Sequence, residues 1–128
     1  MKSKKWFVAS LPVVLACFTI PHPGEAEAPS ISRGKETFEK RCGGCHSLDR
    51  DKEGPRLRGV YGRQSGSVSS FNYSTVFKSA HIAWDAESLD KWLTDPDKVV
   101  PDTDMAFHMD KADERRDIIA YLKELSAR

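Results

Sequence analysis

The sequence predicts an all-α domain of three main helices plus short helical turns, wrapped around one covalently bound group. Three observations carry this expectation. Apolar residues recur at three- and four-residue intervals in three separate stretches, and no stretch alternates as a half-buried strand does. Residues 47–70 are rich in Gly, Pro, Ser and charge, and a loop that long is uncommon in a compact domain unless it wraps something. Cys42-Gly43-Gly44-Cys45-His46 packs two thiols and an imidazole into five residues, the pattern that attaches haem c.

Residues 1–28 read as a cleaved leader, not as part of the domain. Lys2, Lys4 and Lys5 precede a largely apolar run over residues 6–20 that Pro12 interrupts, and residues 21–28 are small, polar and turn-prone. The run is too short and too broken by proline for a comfortable membrane span. Cleavage is expected after Ala28, with Ala26 as the alternative; a lipid anchor on Cys17, after Val14-Leu15-Ala16, is a minor third route. Residues 29–128 then form one domain of about 100 residues, a size at which hydrophobic burial alone gives modest stability. Export to an oxidising compartment leaves Cys42 and Cys45 as its only cysteines.

The first helix is expected to carry Ile31, Gly34, Phe38, Cys42 and Cys45 on one face, ending at the bound group. Gly34 is a poor helix former, and close approach by another helix is the reason to place it there. At the end of that helix the two sulfurs can each form a thioether to a vinyl group of one porphyrin, with His46 beneath the iron. Gly43 and Gly44 let the backbone lie against the ring edge. Structural zinc would need a second ligand pair, whereas Cys17 is the only further cysteine and His22, His81 and His108 are not spaced as a pair. A redox dithiol calls for a preceding strand and a strand-helix alternation that the chain lacks.

After the 47–70 loop, Asp85 can cap a helix bearing Leu89, Trp92 and Leu93 that stops near Asp95-Pro96. Asp95 and Pro96 suit the start of a short turn running to Val100, which Pro101 ends. The last helix is expected to begin at Asp110 or Asp113 and to pack a stripe of Ile118, Tyr121, Leu122 and Leu125 across the first helix at Gly34 and Phe38. Opposite His46 a sixth iron ligand is needed. Met105 lies in a loop between two helical signals, and Met109, His81 and His108 compete with it.

Charge narrows the partners. Residues 29–128 hold 17 basic and 17 acidic side chains, and no basic stripe with interleaved aromatics points to nucleic acid. The distribution is uneven, with five basic and two acidic residues over 50–63 against four acidic and one basic over 95–104.

The ordered set of Cys42 to His46, Gly54-Pro55-Arg56-Leu57, Gly62-Arg63, Phe71-Asn72-Tyr73-Ser74, Trp84, Asp95-Pro96, residues 101–107 and residues 115–123 resembles the class I cytochromes c, mitochondrial and soluble bacterial. The resemblance covers residues 30–126. It implies the small cytochrome c fold around one haem c, with His46 and Met105 as axial ligands and the Pro55 carbonyl accepting the outer His46 ring N–H. It also implies Arg63, Tyr73 and Trp84 around the haem propionates and Thr103 as a hydrogen-bonding residue inside the pocket. Buried carboxylates are costly without donors, which guanidinium, phenol and indole supply.

Four departures from the mitochondrial pattern stand out. Trp92 replaces a tyrosine near the methionine sulfur, and Phe77 replaces a frequent asparagine. The loop after His46 is shorter, and Asp97 and Asp104 stand where lysines surround the haem edge. The implied activity is one-electron transfer by a monomeric periplasmic carrier, not an enzyme, working between redox protein partners. Its membrane contact is expected only through a partner complex or the Cys17 anchor. A five-coordinate haem enzyme or gas sensor is the alternative.

Overall fold

Ser30 opens the first helix, α1 (Ile31–Arg41), its Oγ accepting the Arg33 N–H at 3.3 Å. The structure, a computed structural model, describes Met1 and residues 27–128. The leader expected over residues 1–28, with Cys17, lies almost wholly outside the described residues. α1 buries Gly34 and Phe38, but Ile31 is exposed at its first turn, outside the expected apolar face. The helix also ends before the cysteines. Cys42 is its C-cap, Gly43 and Gly44 carry the chain into a turn, and the conformational freedom of glycine disfavours further helix there.

The last helix, α5 (Ala112–Ser126), crosses α1 where expected. A Cβ on Gly34 would lie 2.6 Å from the Asp117 carbonyl carbon and 2.9 Å from Tyr121 Cβ, so only glycine permits this approach. Phe38 packs against Tyr121 with ring centroids 5.8 Å apart. Buried Asp117 fixes one end of the crossing by accepting from Ser30 N at 2.6 Å and Arg33 Nε at 2.7 Å. The start of α5 differs from the expectation. Lys111 is its N-cap with no side-chain bond, and neither Asp110 nor Asp113 caps it; Asp113 and Glu114 instead lie in the first turn, where acidic groups favour the helix dipole.

Between them, α2 (Thr75–Lys78) is one turn that no periodicity announced, because four residues are too few to show any. α3 (Ala86–Thr94) starts in a capping box between Asp85 and Ser88 and buries Leu89, Trp92 and Leu93. α4 (Pro96–Val99) follows at once, capped by Asp95 with proline at its first position. The three longer helices meet around Ile118 and Met109, both fully buried.

Residues 47–74 fold back over this scaffold as loop. Trp84 N donates to Arg63 O at 2.9 Å, and the Gln64–Ala83 bridge is the only extended pairing among the described residues. The fold is therefore all-α, as expected, with two loops closing over one side of the helices.

Candidate functional site

A cavity of about 590 Å3 lies between the helices and the two loops. Its position follows from the elements already described: α1 and its terminal turn bring Cys42, Cys45 and His46 to one rim. The loop after them adds Gly54 and Pro55, the 60s and 70s add Arg63 and Tyr73, and residues 103–107 close the far side with Met105. All nine residues singled out from the sequence line it: Cys42, Cys45, His46, Pro55, Arg63, Tyr73, Trp84, Thr103 and Met105. The competing ligands do not. Met109 is a fully buried core residue, and His81 and His108 are exposed.

His46 is oriented by its neighbours. Its Nδ1 lies 2.8 Å from the Pro55 carbonyl, and a carbonyl can only accept, so the ring proton sits on Nδ1 and Nε2 keeps its lone pair for a metal. Burial lowers the pKa of the imidazole, with the Pro55 bond opposing, which favours the neutral ring that metal ligation requires. Gly54 lies flat against the ring: a Cβ there would stand 2.6 Å from Nδ1 and 2.7 Å from Nε2. Lys52 Nζ donates to the Gly43 and Gly44 carbonyls at 2.6 and 2.7 Å, fixing the turn between the cysteines. Burial pushes the Cys42 thiol up to about 11, and Cys45 is exposed with its Sγ 3.3 Å from Glu53 Oε2. Among the described residues no three His, Cys, Asp or Glu side chains converge as a metal cluster, so this cysteine pair lacks the partners of a zinc shell.

Across the cavity, Trp92 Nε1 donates to Met105 Sδ at 3.2 Å. The residue that stands in place of the mitochondrial tyrosine thus donates to the sulfur through its indole N–H. Trp92 is held edge-on against Phe77 and Trp84, each at 5.4 Å, and Phe77 stacks on Tyr73 at 5.3 Å, so an aromatic wall runs from the sulfur toward Arg63. Burial pulls the pKa of the Arg63 guanidinium down, the condition of a cation that an anion would stabilise.

Sequence reasoning did not single out Ser74 as a site residue. It stands at the N-cap of α2 but makes no capping bond, and its buried Oγ at the cavity has no partner. A hydroxyl left in that state implies a ligand group opposite it. The only sequence signal was its place beside Tyr73, where a serine before a short helix reads first as a cap.

A covalent haem fits what these residues offer: an apolar cavity between an imidazole nitrogen and a thioether sulfur, two thiols at one rim, a half-buried guanidinium, and a buried hydroxyl without a partner. Together the fold and the site define a small all-α haem protein. Comparison with known proteins makes this specific. The family model for cytochrome c matches residues 31–126. Cytochrome c of Euglena viridis is 50% identical over 105 residues, covering 80% of this chain and 98% of that protein. Cytochrome c type-1 of Ascaris suum is 45% identical over 94 residues, 71% of this chain and 84% of the relative. Among solved structures, cytochrome cH from Methylobacterium extorquens superimposes with a TM-score of 0.71 at 35% identity, over 74% of this chain and 98% of that one. This chain belongs to the cytochrome c family, a family of electron carriers, and its cofactor is covalently bound haem c.

Proposed function

We propose that the protein is an exported, monomeric one-electron carrier, without enzymatic activity, that works in the periplasm between redox protein partners. The observation that carries this reading is the pairing of His46 Nε2, freed by the Nδ1–Pro55 bond, with Met105 Sδ in the wall of the same cavity. Haem c supplies an iron that gains and loses one electron, and thioether ligation favours its reduced form.

The chain's residues do the rest. Cys42 and Cys45 would anchor the group through thioether bonds, and His46 and Met105 would both ligate its iron, so that no position would be left for a substrate. Arg63, Tyr73 and Trp84, joined by Ser74, would donate to the propionates, and Thr103 would hydrogen-bond inside the pocket beside Met105. Phe77 and the two tryptophans keep water from that wall. The leader over residues 1–28 supports export, and among the described residues no helix is long and apolar enough to cross a membrane. Asp97 and Asp104 are exposed beside the Met105 loop, where mitochondrial relatives carry lysines, so partner choice is expected to differ from theirs.

The test is spectroscopic. The exported holoprotein should give a low-spin spectrum with a sulfur-to-ferric-iron charge-transfer band, and Met105→Ala should abolish that band and lower the reduction potential. A high-spin ferric spectrum in the unsubstituted protein would overturn this reading in favour of the five-coordinate alternative. Intact mass of the same sample reports haem attachment, cleavage after Ala26 or Ala28, and any acylation of Cys17.

A further inference from the structure

Between buried Val100 and Phe107 the chain crosses the cavity wall with few bonds of its own. Thr103 N donates to Val100 O at 3.2 Å, closing a turn over Pro101 and Asp102, and Phe107 N donates to Met105 O at 3.1 Å. Both bonds are local. Among the described residues, the one bond from the backbone of residues 101–106 to a helix is Asp102 N to Asp97 Oδ1 in α4, at 2.9 Å. Asp102 is also the strained point of the loop: its φ is +62°, in the third position of the turn, where a left-handed backbone favours glycine. We propose that Asp97 is a positioning residue for Met105, its carboxylate latching Asp102 in the left-handed conformation that directs Thr103 and Met105 into the cavity they line. This rests on Met105 being an iron ligand and adds what holds it there.

A left-handed aspartate has right-handed and extended alternatives of lower energy, so the turn persists only while something favours it over them. Its own closing bond is long, and the Asp102 N–H points away from it toward α4. A carboxylate that accepts a backbone N–H makes a charge-assisted bond, and α4 gives this one a fixed base: Pro96 is fully buried, and Val100 N returns to Pro96 O at 2.8 Å. Without the latch Asp102 relaxes to negative φ, and the chain leaves the turn in a new direction three residues before the sulfur. Asp97 thus serves the iron through Met105, apart from any part its charge plays in meeting partners.

The test reads how often Met105 leaves the iron. The ferric exported holoprotein is mixed with saturating imidazole, which takes the sixth position only when the sulfur has left, and the rate is followed at the charge-transfer band. Because the latch is exposed, Asp97→Ala should bind imidazole about three- to tenfold faster, the change that the loss of one ordinary hydrogen bond produces. Asp97→Asn keeps an acceptor oxygen without the charge and should stay near the original rate. Asp85→Ala removes a similar carboxylate bond, from Ser88 N at 2.8 Å at the start of α3, and as the control for general destabilisation it should leave the rate unchanged. The proposal is overturned by an unchanged rate in Asp97→Ala, by an equal rise in Asp97→Asn, which would assign the effect to charge, or by an equal rise in Asp85→Ala, which would assign it to overall stability. The charge-transfer band of the unsubstituted protein keeps the two readings apart. Its absence removes Met105 as ligand and the proposal with it, whereas its presence beside an unchanged imidazole rate in Asp97→Ala removes the proposal alone.

Discussion

On the His46 side of the cavity the bonds that orient the ring and its turn run between residues 42 and 55, whereas the Met105 loop is held by contacts that arrive from three different helices. His46 N donates to Cys42 O at 2.8 Å, Gly54 N to Cys45 O at 2.9 Å, Nδ1 reaches Pro55, and Lys52 pins the turn between the cysteines. The Met105 loop instead depends on α3 through Met109 N to Leu93 O at 2.9 Å and on α5 through Arg115 Nη1 to the Met109 and Asp110 carbonyls at 2.7 and 2.9 Å. Asp97 in α4 accepts from Asp102 N at 2.9 Å. One wall is a local structure and the other is a product of tertiary packing. Loosening the helices therefore releases the sulfur before the imidazole.

The largest expected effect tests that asymmetry on the packed side. Met109 is fully buried, and Met109→Ala should cost about 2–5 kcal/mol through lost contacts and a cavity. Because Met109 lies outside the haem cavity, the charge-transfer band should survive in water. In urea it should fade at a lower concentration than the helical circular-dichroism signal does. Coincident loss of both would mean that the two walls are held alike.

Gly54→Ala tests the local side with a smaller expected effect. Its Cβ would overlap the His46 ring, and overpacking of this kind costs about 1–3 kcal/mol. Here the band and the helical signal should be lost together, since the Met105 loop and its helices are untouched. A band that faded early in Gly54→Ala would show that strain on one wall reaches the other.

How far the sequence revealed each wall follows the same division. Cys42 to His46, the Asp85 and Asp95 caps and the Gly34 crossing were legible because each depends on residues a few positions apart or on a repeating face. Met105 was preferred to Met109 on its place in a loop and on resemblance together, since which methionine is core and which faces a cavity depends on α3 and α5 meeting far along the chain. Ser74 was illegible for a related reason: a missing capping bond is a three-dimensional fact. The start of α5 was misplaced by two aspartates that serve its first turn without capping it.

The smallest effect concerns how the local wall is joined to the loop above it. Asp51 accepts from Arg56 N at 2.9 Å through Oδ1 and from Ser70 Oγ at 2.6 Å through Oδ2, linking the 47–57 segment to residues 64–72. The Ser70 hydroxyl and then the Arg56 N–H lower the pKa of this carboxyl below its ordinary value. A carboxyl with a depressed folded-state pKa adds stability that is fully present above its unfolded value of about 3.9 and is lost as pH falls through the folded value. Asp51→Asn should therefore be less stable than the original protein near neutrality, and the two should converge as the pH is lowered below the Asp51 folded-state pKa. Urea midpoints across pH 7 to 2.5 measure this directly. A difference that stayed constant with pH would assign the role of Asp51 to the shape of its hydrogen bonds alone, because the amide keeps one acceptor but cannot titrate.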